Sequence, residues 1–192
     1  KPYTTTLATI KRKHMKKIVL LSFVSLILFG CNNFDKNTPD GYGGFILDKL
    51  IAKEFDVVKS LYASPSDTIS VDSVALERLN FWFKDSIKIN AFNTKIDDEI
   101  NEWKSKAKST NIESADIEFL RTELDTTKYE FPYSEMKVYF LLNKKEYFFE
   151  LNNVLKTPEG WVFYRITPFM TQEELAVIER KKREEEAKQP YT

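Results

Sequence analysis

The chain has 192 residues with 29 basic and 29 acidic side chains, so its formal net charge is zero. The charges are unevenly placed: residues 1–30 hold six of the basic residues and no acidic ones, which leaves residues 31–192 with a net charge of −6. An acidic chain without a basic stripe is unsuited to nucleic acids, since binding them depends on neutralising phosphates. We therefore expect no nucleic-acid partner, and one domain of ordinary size after residue 30.

The stretch from Met15 to Cys31, MKKIVLLSFVSLILFGC, has the organisation of a secretory signal. Two lysines are followed by an uncharged run of 12 residues and by the small residue Gly30. A helix that crosses a membrane needs about 20 apolar residues, so this run is too short for a comfortable permanent span. The sequence predicts a signal peptide over residues 15–30, with residues 1–14 as an upstream extension outside the fold.

The end of this stretch, Leu28-Phe29-Gly30-Cys31, resembles the lipobox of bacterial lipoproteins, although the family usually has a smaller residue at the position of Phe29. The resemblance implies cleavage between Gly30 and Cys31, and a diacylglyceryl thioether with an N-acyl chain on Cys31. Several acyl chains, each contributing ~0.8 kcal/mol per buried CH₂, would anchor the protein stably in a membrane. We expect a lipid anchor in the bacterial cell envelope, in the outer membrane rather than the inner one. The alternative is an ordinary signal peptide followed by a free thiol.

The leader also contains the two side chains that enzymes use most widely. His14 is the only histidine and Cys31 the only cysteine. Once His14 is removed and Cys31 is acylated, neither a zinc site nor a disulfide can form from such residues. The sequence has no P-loop, no GxSxG motif and no EF-hand spacing. We therefore assign no catalytic residue, metal or cofactor, and favour a binding protein over an enzyme.

The segment after Cys31, NNFDKNTPDGYGG, is rich in Asn, Asp, Gly and Pro and shows no periodicity. This composition predicts a flexible tether over residues 31–44. Its glycines do not complete a GxGxxG motif, so a phosphate site is not expected there. A single domain over residues 45–169 and a charged tail over residues 170–192 would follow.

Three helices are predicted from apolar residues at three- and four-residue spacing. They cover Phe45 to Tyr62, about Ser73 to Phe83, and about Lys95 to Lys108. Thr94 is the expected N-cap of the third helix, and residues 85–92 fit either a strand or a helix. The triplet Asp97-Asp98-Glu99 invites a metal site, but the helix dipole favours acidic residues in a first turn, which is the preferred interpretation.

From Ile112 onward the apolar period changes to two, which predicts strands. A strand is expected over Ala115–Leu124 and a short extended piece over Tyr129–Tyr133. The clearest signals are three runs rich in aromatic and β-branched residues: MKVYFLL (136–142), EYFFEL (146–151) and WVFYRI (161–166). Short polar connections between them predict an antiparallel meander. The fold class is therefore α+β, with N-terminal helices packed on a curved antiparallel sheet.

The register of the first hairpin depends on which residues form its turn. A two-residue turn at Lys144-Lys145 pairs Leu142 with Tyr147, Phe140 with Phe149 and Val138 with Leu151, on one side of the sheet. This side is expected to be the core face.

The opposite face carries the candidate ligand-binding residues Tyr139, Glu150 and Arg165. In the same register Tyr139 faces Glu150. A second loop at residues 157–160 places Asn152 opposite Arg165 and makes Arg165 a diagonal neighbour of Glu150. An inert salt bridge between Glu150 and Arg165 is the simpler interpretation. The alternative is a pocket in which Glu150 is a carboxylate base.

The order of elements resembles that of the NTF2-like (cystatin-like α+β) proteins over residues 45–169. In that superfamily the sheet curls around a pocket closed by helices, and members either bind ligands or partners or act as enzymes through pocket Asp, His or Tyr. The resemblance implies a ligand-binding or interaction module, and a pocket enzyme as the alternative. Without histidine, such an enzyme would depend on Glu150.

A charged helix is predicted from about Gln172 to Lys188, opened by a capping box of Thr171 and Glu174. Three apolar residues are expected to dock its first turns: Leu175, Val177 and Ile178. The rest consists almost entirely of charges in i,i+4 pairs, which is typical of a projecting solvated helix. An envelope protein partner could bind to this tail.

Overall fold

The computed structural model describes residues 34–64, 67, 83–127 and 133–187. The predicted leader lies outside these ranges. So do the second predicted helix, except for Phe83, and the extended piece at 129–133, except for Tyr133. Within the described ranges, none of the helices is both long enough and apolar enough to cross a membrane.

The described residues form four α-helices, one short 3₁₀ helix and five strands, in an α+β fold. In chain order they are α1 (Pro39–Ile51), α2 (Phe55–Lys59), α3 (Ser86–Ser109), the 3₁₀ helix (Ile112–Ser114), β1 (Ile117–Asp125), β2 (Ser134–Leu142), β3 (Lys145–Thr157), β4 (Gly160–Val162), β5 (Arg165–Ile166) and α4 (Gln172–Glu186). The strands form an antiparallel sheet in the order β1-β2-β3-β4, and β5 also pairs with β3. The predicted meander and the predicted fold class are confirmed.

The hydrophobic core lies between one face of this sheet and the helices α1 and α3. Its most deeply buried side chains come from both layers: Ile46, Leu50, Ile100 and Trp103 from the helices, and Val138, Phe140, Phe149 and Leu151 from the strands. Burying a side chain of this size contributes about 1.5–3 kcal/mol. The predicted core face of the hairpin is therefore correct.

Helix α1 begins at Pro39, six residues before the predicted start. Thr38 is its N-cap and accepts a hydrogen bond from the Gly41 N–H at 3.1 Å, while Pro39 occupies the first turn, where its missing N–H costs nothing. Residues 39–44 are therefore helical, and their assignment to a flexible tether is wrong. The helix ends at Ile51, and Lys53 has a positive φ of 61°, so α1 and α2 are two helices instead of the single one predicted.

Glycine in α1 allows the helix to approach the sheet closely. Gly43 lies against Thr122 of β1 and Val138 of β2, and a Cβ on Gly43 would overlap the Thr122 hydroxyl and lie 3.0 Å from a Val138 methyl group. The Asp40 carboxylate fastens the same contact by accepting a hydrogen bond from the Thr122 N–H at 2.5 Å. The glycines that indicated a linker are thus packing residues.

Helix α3 is longer than predicted. Asp85 is its N-cap and accepts a hydrogen bond from the Lys88 N–H at 2.9 Å, so residues 86–92 are helical. The predicted N-cap Thr94 is wrong, because Thr94 lies inside the helix and donates its hydroxyl proton to the Asn90 carbonyl. The triplet Asp97-Asp98-Glu99 therefore lies in mid-helix, and the helix dipole does not explain it.

The turn between β2 and β3 is formed by Asn143 and Lys144, one residue earlier than predicted. Both have positive φ, 51° and 68°, as a two-residue type I′ turn requires. Asn143 also accepts a hydrogen bond from the Asp116 N–H at 3.0 Å, which fixes the turn to the start of β1. The strands consequently pair Phe140 with Tyr147. In every predicted pair the partner on β3 is two residues too far along the chain. The predicted faces of the sheet are still right, because a shift by an even number of residues leaves each side chain on its own face.

We predict that Gly43→Ala destabilises the protein, by up to about 2 kcal/mol. Alanine gains about 1 kcal/mol of helix propensity, but overpacking against Thr122 and Val138 costs about 1–3 kcal/mol. Urea unfolding measures the difference. Thr122→Ala removes the hydroxyl that clashes, so Gly43→Ala should cost clearly less in a Thr122→Ala background. Equal costs in both backgrounds would contradict the close contact.

The hairpin register makes a second prediction. Lys144→Gly should stabilise the fold by about 0.5–1 kcal/mol, because it relieves a non-glycine residue of positive φ. The matched variant Lys145→Gly should destabilise it by a similar amount, because Lys145 lies in a strand. Thermal or urea unfolding of both proteins distinguishes the two turns. Stabilisation by both variants would support a turn at residues 144 and 145, because both lysines would then have positive φ.

Candidate functional site

The sheet face opposite the core carries Tyr139 and Glu150, but the structure gives them different neighbours. Tyr139 pairs with Phe148, and Glu150 pairs with Lys137. The Lys137 ammonium group lies 3.3 Å from the Glu150 carboxylate. The predicted pairing of Tyr139 with Glu150 is wrong, because the turn that sets the register lies one residue earlier.

Tyr139 belongs to a charged cluster with β1. Its hydroxyl donates a hydrogen bond to Glu123 at 3.1 Å, and the guanidinium group of Arg121 lies 4.0 Å from the centre of its ring. Arg121 also pairs with Glu123 at 2.9 Å and with Glu146 at 3.5 Å. Burial and the hydrogen bond to Glu123 raise the pKa of Tyr139 to about 12, and the hydrogen bond from Arg121 lowers the pKa of Glu123. Tyr139 is therefore a neutral donor at physiological pH, with its hydrogen bond already made.

Arg165 faces Asn152, as predicted. Its guanidinium group, however, lies 3.5 Å from the Glu99 carboxylate of α3, which is its ion-pair partner among the described residues. The predicted salt bridge between Glu150 and Arg165 is therefore absent from the described part of the structure. The three candidate residues are divided among separate ion pairs and do not form one site.

Glu99 is a buried carboxylate that the sequence analysis missed as a distinct feature. Its side chain is 8% exposed. One oxygen accepts hydrogen bonds from the Tyr62 hydroxyl and the Ile166 N–H, both at 3.0 Å. The other oxygen has no hydrogen-bond partner among the described residues and lies 3.5 Å from Arg165 and 3.8 Å from Lys95. Glu99 thus joins α3 to β5 and to the segment after α2.

The periodicity of α3 contains the signal that identifies Glu99. Ile96, Ile100 and Trp103 are buried apolar residues of this helix, and Glu99 has the helical spacing of the same face. Burial raises the pKa of Glu99, and the hydrogen bonds from Ile166 and Tyr62 oppose this rise. Burial likewise raises the pKa of Tyr62. An acidic residue on the apolar face of a helix therefore indicates a buried polar contact. In this protein the contact connects α3 to Tyr62 and to β5.

The acidic triplet does not converge on one point. Asp97 is exposed and pairs with Lys59 at 2.5 Å, whereas Glu99 is directed into the core. Among the described residues no group of three or more His, Cys, Asp or Glu side chains is arranged to hold a metal ion.

Helix α4 is attached to α3 through its first turn. The predicted capping box is confirmed: the Glu174 N–H donates to the Thr171 hydroxyl at 3.2 Å, and the Thr171 N–H donates to the Glu174 carboxylate at 2.8 Å. Glu174 also accepts a hydrogen bond from Lys106 of α3 at 2.5 Å. Beyond this turn α4 is exposed, and the pairs Arg180–Glu184 and Lys182–Glu186 follow the predicted i,i+4 pattern.

An open apolar groove of about 470 Å³ runs beside α4, and we call it the α4 groove. Its lining includes Pro168, Phe169 and Met170 from the segment before α4, Val177 and Ile178 from α4, and Lys106 from α3. Leu175 is partly buried, but Val177 is 41% exposed and Ile178 is 53% exposed. The expectation that these last two residues dock onto the domain is therefore wrong.

The fold and these contacts define an α+β domain whose described titratable clusters are ion pairs, and whose C-terminal helix borders an open apolar groove. Comparisons with protein-family models, with curated proteins and with solved structures each gave no match.

The burial of Glu99 predicts a specific pH dependence of stability. Because its folded pKa is raised above the ordinary value of 4.5, the protonated form favours folding. This contribution is fully present below the unfolded pKa and is lost as the pH rises through the folded pKa. Glu99→Gln should remove this part of the slope of unfolding free energy at pH values above 4.5.

A second variant, with the opposite expected effect on the pH dependence, tests the hydrogen bond between Tyr62 and Glu99. Tyr62→Phe removes a hydrogen bond that lowers the pKa of Glu99, so it should steepen the loss of stability with pH. Urea unfolding at a series of pH values measures all three slopes. Identical slopes in the wild type, Glu99→Gln and Tyr62→Phe would contradict a raised pKa at Glu99.

Proposed function

We propose that this protein is a lipid-anchored interaction module of the bacterial cell envelope, held in the membrane through Cys31. The observation that carries the proposal is Leu28-Phe29-Gly30-Cys31, in which the sole cysteine follows an apolar segment with a basic start. Acylation of Cys31 would supply the membrane contact, at ~0.8 kcal/mol per buried CH₂. The outer membrane is the proposed location.

The described contacts favour binding over catalysis. A carboxylate base needs access to a substrate and a geometry that positions it, whereas Glu150 is held by the Lys137 ammonium group at 3.3 Å. The Tyr139 hydroxyl is likewise engaged, in its hydrogen bond to Glu123. An enzyme of the pocket type would need to break these pairs. We therefore do not propose a catalytic role for Glu150.

The arrangement of helices before an antiparallel meander supports a proposed relation of the domain to the NTF2-like proteins. In this chain helices α1 and α3 cover one face of the sheet, and ion pairs cover much of the other. A partner would then contact the surface that remains apolar and open. Among the described residues, the α4 groove is the surface with those properties.

The membrane anchor is tested by metabolic labelling with a radioactive or clickable palmitate analogue in a bacterial host. We expect the wild type to be labelled and Cys31→Ser to lose the label completely, because the thioether needs the cysteine sulfur. Phe29→Ala is the matched control, since it keeps the cysteine and gives the lipobox a smaller residue. Equal labelling of the wild type and Cys31→Ser would refute the anchor.

A further inference from the structure

The packed part of the domain begins close to the proposed anchor in sequence. Phe34 packs edge-on against Phe119 of β1, with 5.9 Å between the ring centroids. The Phe34 ring also lies directly on Gly44 of α1, where a Cβ would overlap it. The Asp35 carbonyl accepts a hydrogen bond from the Thr38 N–H at 3.0 Å. The packed chain therefore extends at least as far back as Phe34, so less of the predicted tether remains than the start of α1 alone suggests.

The length of chain between Cys31 and Phe34 limits how far the domain can lie from a membrane. Two residues, Asn32 and Asn33, separate them, and three residues of extended chain span at most about 11 Å. The headgroup layer on each side of a bilayer is itself about 5–8 Å thick. If acyl chains on Cys31 enter the hydrocarbon, the Phe34 side of the domain is held at the headgroups.

Two exposed lysines lie on this side of the domain. The Lys156 ammonium group donates a hydrogen bond to the Asn37 carbonyl at 2.8 Å and lies 4.6 Å from the centre of the Trp161 ring. The Lys36 ammonium group lies 3.6 Å from the centre of the Phe45 ring. Neither lysine has a carboxylate partner among the described residues. We call the surface formed by Lys36, Phe45 and Lys156 the anchor face.

The carboxylates near the anchor face are mostly bound by the protein itself. Asp35 accepts a hydrogen bond from the Asn37 N–H at 3.1 Å, and Asp40 accepts one from the Thr122 N–H. Glu159, in the turn between β3 and β4, is exposed and makes no ion pair among the described residues. Two open ammonium groups against this one open carboxylate give the anchor face a positive balance, which complements lipid phosphates.

We propose that the anchor face lies on the lipid headgroups of the membrane, with the ammonium groups of Lys36 and Lys156 against the phosphates. The inference rests on the proposed acylation of Cys31, and it adds which surface of the domain contacts lipid. Lysine side chains commonly lie along apolar surface while the ammonium group reaches a polar layer, as both do here over aromatic rings. The acidic remainder of the domain is repelled by anionic headgroups, which favours this orientation over others.

Lysine modification on vesicles tests this orientation. The full-length acylated protein is placed in vesicles of phosphatidylcholine and phosphatidylglycerol and treated with a water-soluble acetylating reagent, and mass spectrometry gives the rate at each lysine. The comparison is a variant with a spacer of about 20 Gly and Ser residues after Asn33, which extends the reach by about 25 Å. We expect Lys36 and Lys156 to react about fivefold more slowly without the spacer. Lys182 of α4, with a side chain 76% exposed, is the internal control and should react equally in both proteins.

The mass of the N-terminal peptide shows separately whether Cys31 is acylated, so failure of the proposed function is recognised by itself. In that case the Cys31 thiol is coupled to a maleimide lipid, which supplies an anchor at the same position, and the comparison is repeated. Equal rates at Lys36 and Lys156 with and without the spacer would overturn the inference. Equal slowing at Lys182, or slowing in native membranes but not on vesicles of lipid alone, would also overturn it, because general shielding or a protein partner would then explain the protection.

Removal of one charge tests the contact with phosphates. Lys36→Gln should raise the modification rate at Lys156 on the vesicles towards that of the spacer variant, because one of the two phosphate contacts is lost. Lys181→Gln is the matched control, since it removes the same charge from an exposed position on α4 and should leave Lys156 unchanged. Urea unfolding checks that both variants stay folded. An unchanged rate at Lys156 in Lys36→Gln, or an equal rise in both variants, would overturn the assignment of these lysines to phosphates.

Discussion

The hydrogen bonds of the buried Glu99 carboxylate hold together three parts of the chain that are distant in sequence. They connect α3 to Tyr62, at the end of the α2 segment, and to the backbone of Ile166 in β5. Three residues after Ile166, the ring of Phe169 packs on Trp103 of α3 with a centroid distance of 5.1 Å. Phe169 also packs on Phe140 and Tyr147 of the sheet, so Glu99 and Phe169 together attach the segment between β5 and α4 to α3 and to the sheet.

The other side of the domain depends on steric fit instead of charge. Gly43 of α1 lies so close to β1 and β2 that a side chain would be forced into Thr122. Asp40, one turn earlier, supplies an acceptor for the Thr122 N–H next to an irregularity in the pairing of β1 with β2. Glycine is costly within a helix, by about 1 kcal/mol relative to alanine, and here the cost is offset by closer packing of the two layers.

The sequence predicted those features that depend on local periodicity and failed where distant contacts decide. Alternating apolar residues identified the core face of the hairpin, and the spacing of Thr171 and Glu174 identified a cap. The predicted register was wrong because Asn143 and Lys144 adopt positive φ although neither is a glycine. No local sequence pattern shows that these two residues form the turn. The helical role of Gly43 depends on a strand about 80 residues away, so the same glycine read alone indicates a linker.

The candidate site failed for the same physical reason: ion-pair partners depend on register. Moving the turn by one residue changes each opposing pair, so Glu150 meets Lys137 in place of Tyr139. Helix α4 does not depend on strand register, because its charges and apolar residues all lie within one continuous element. Its capping box and its i,i+4 charge pairs can therefore be read from sequence, while the exposure of Val177 and Ile178 requires the structure.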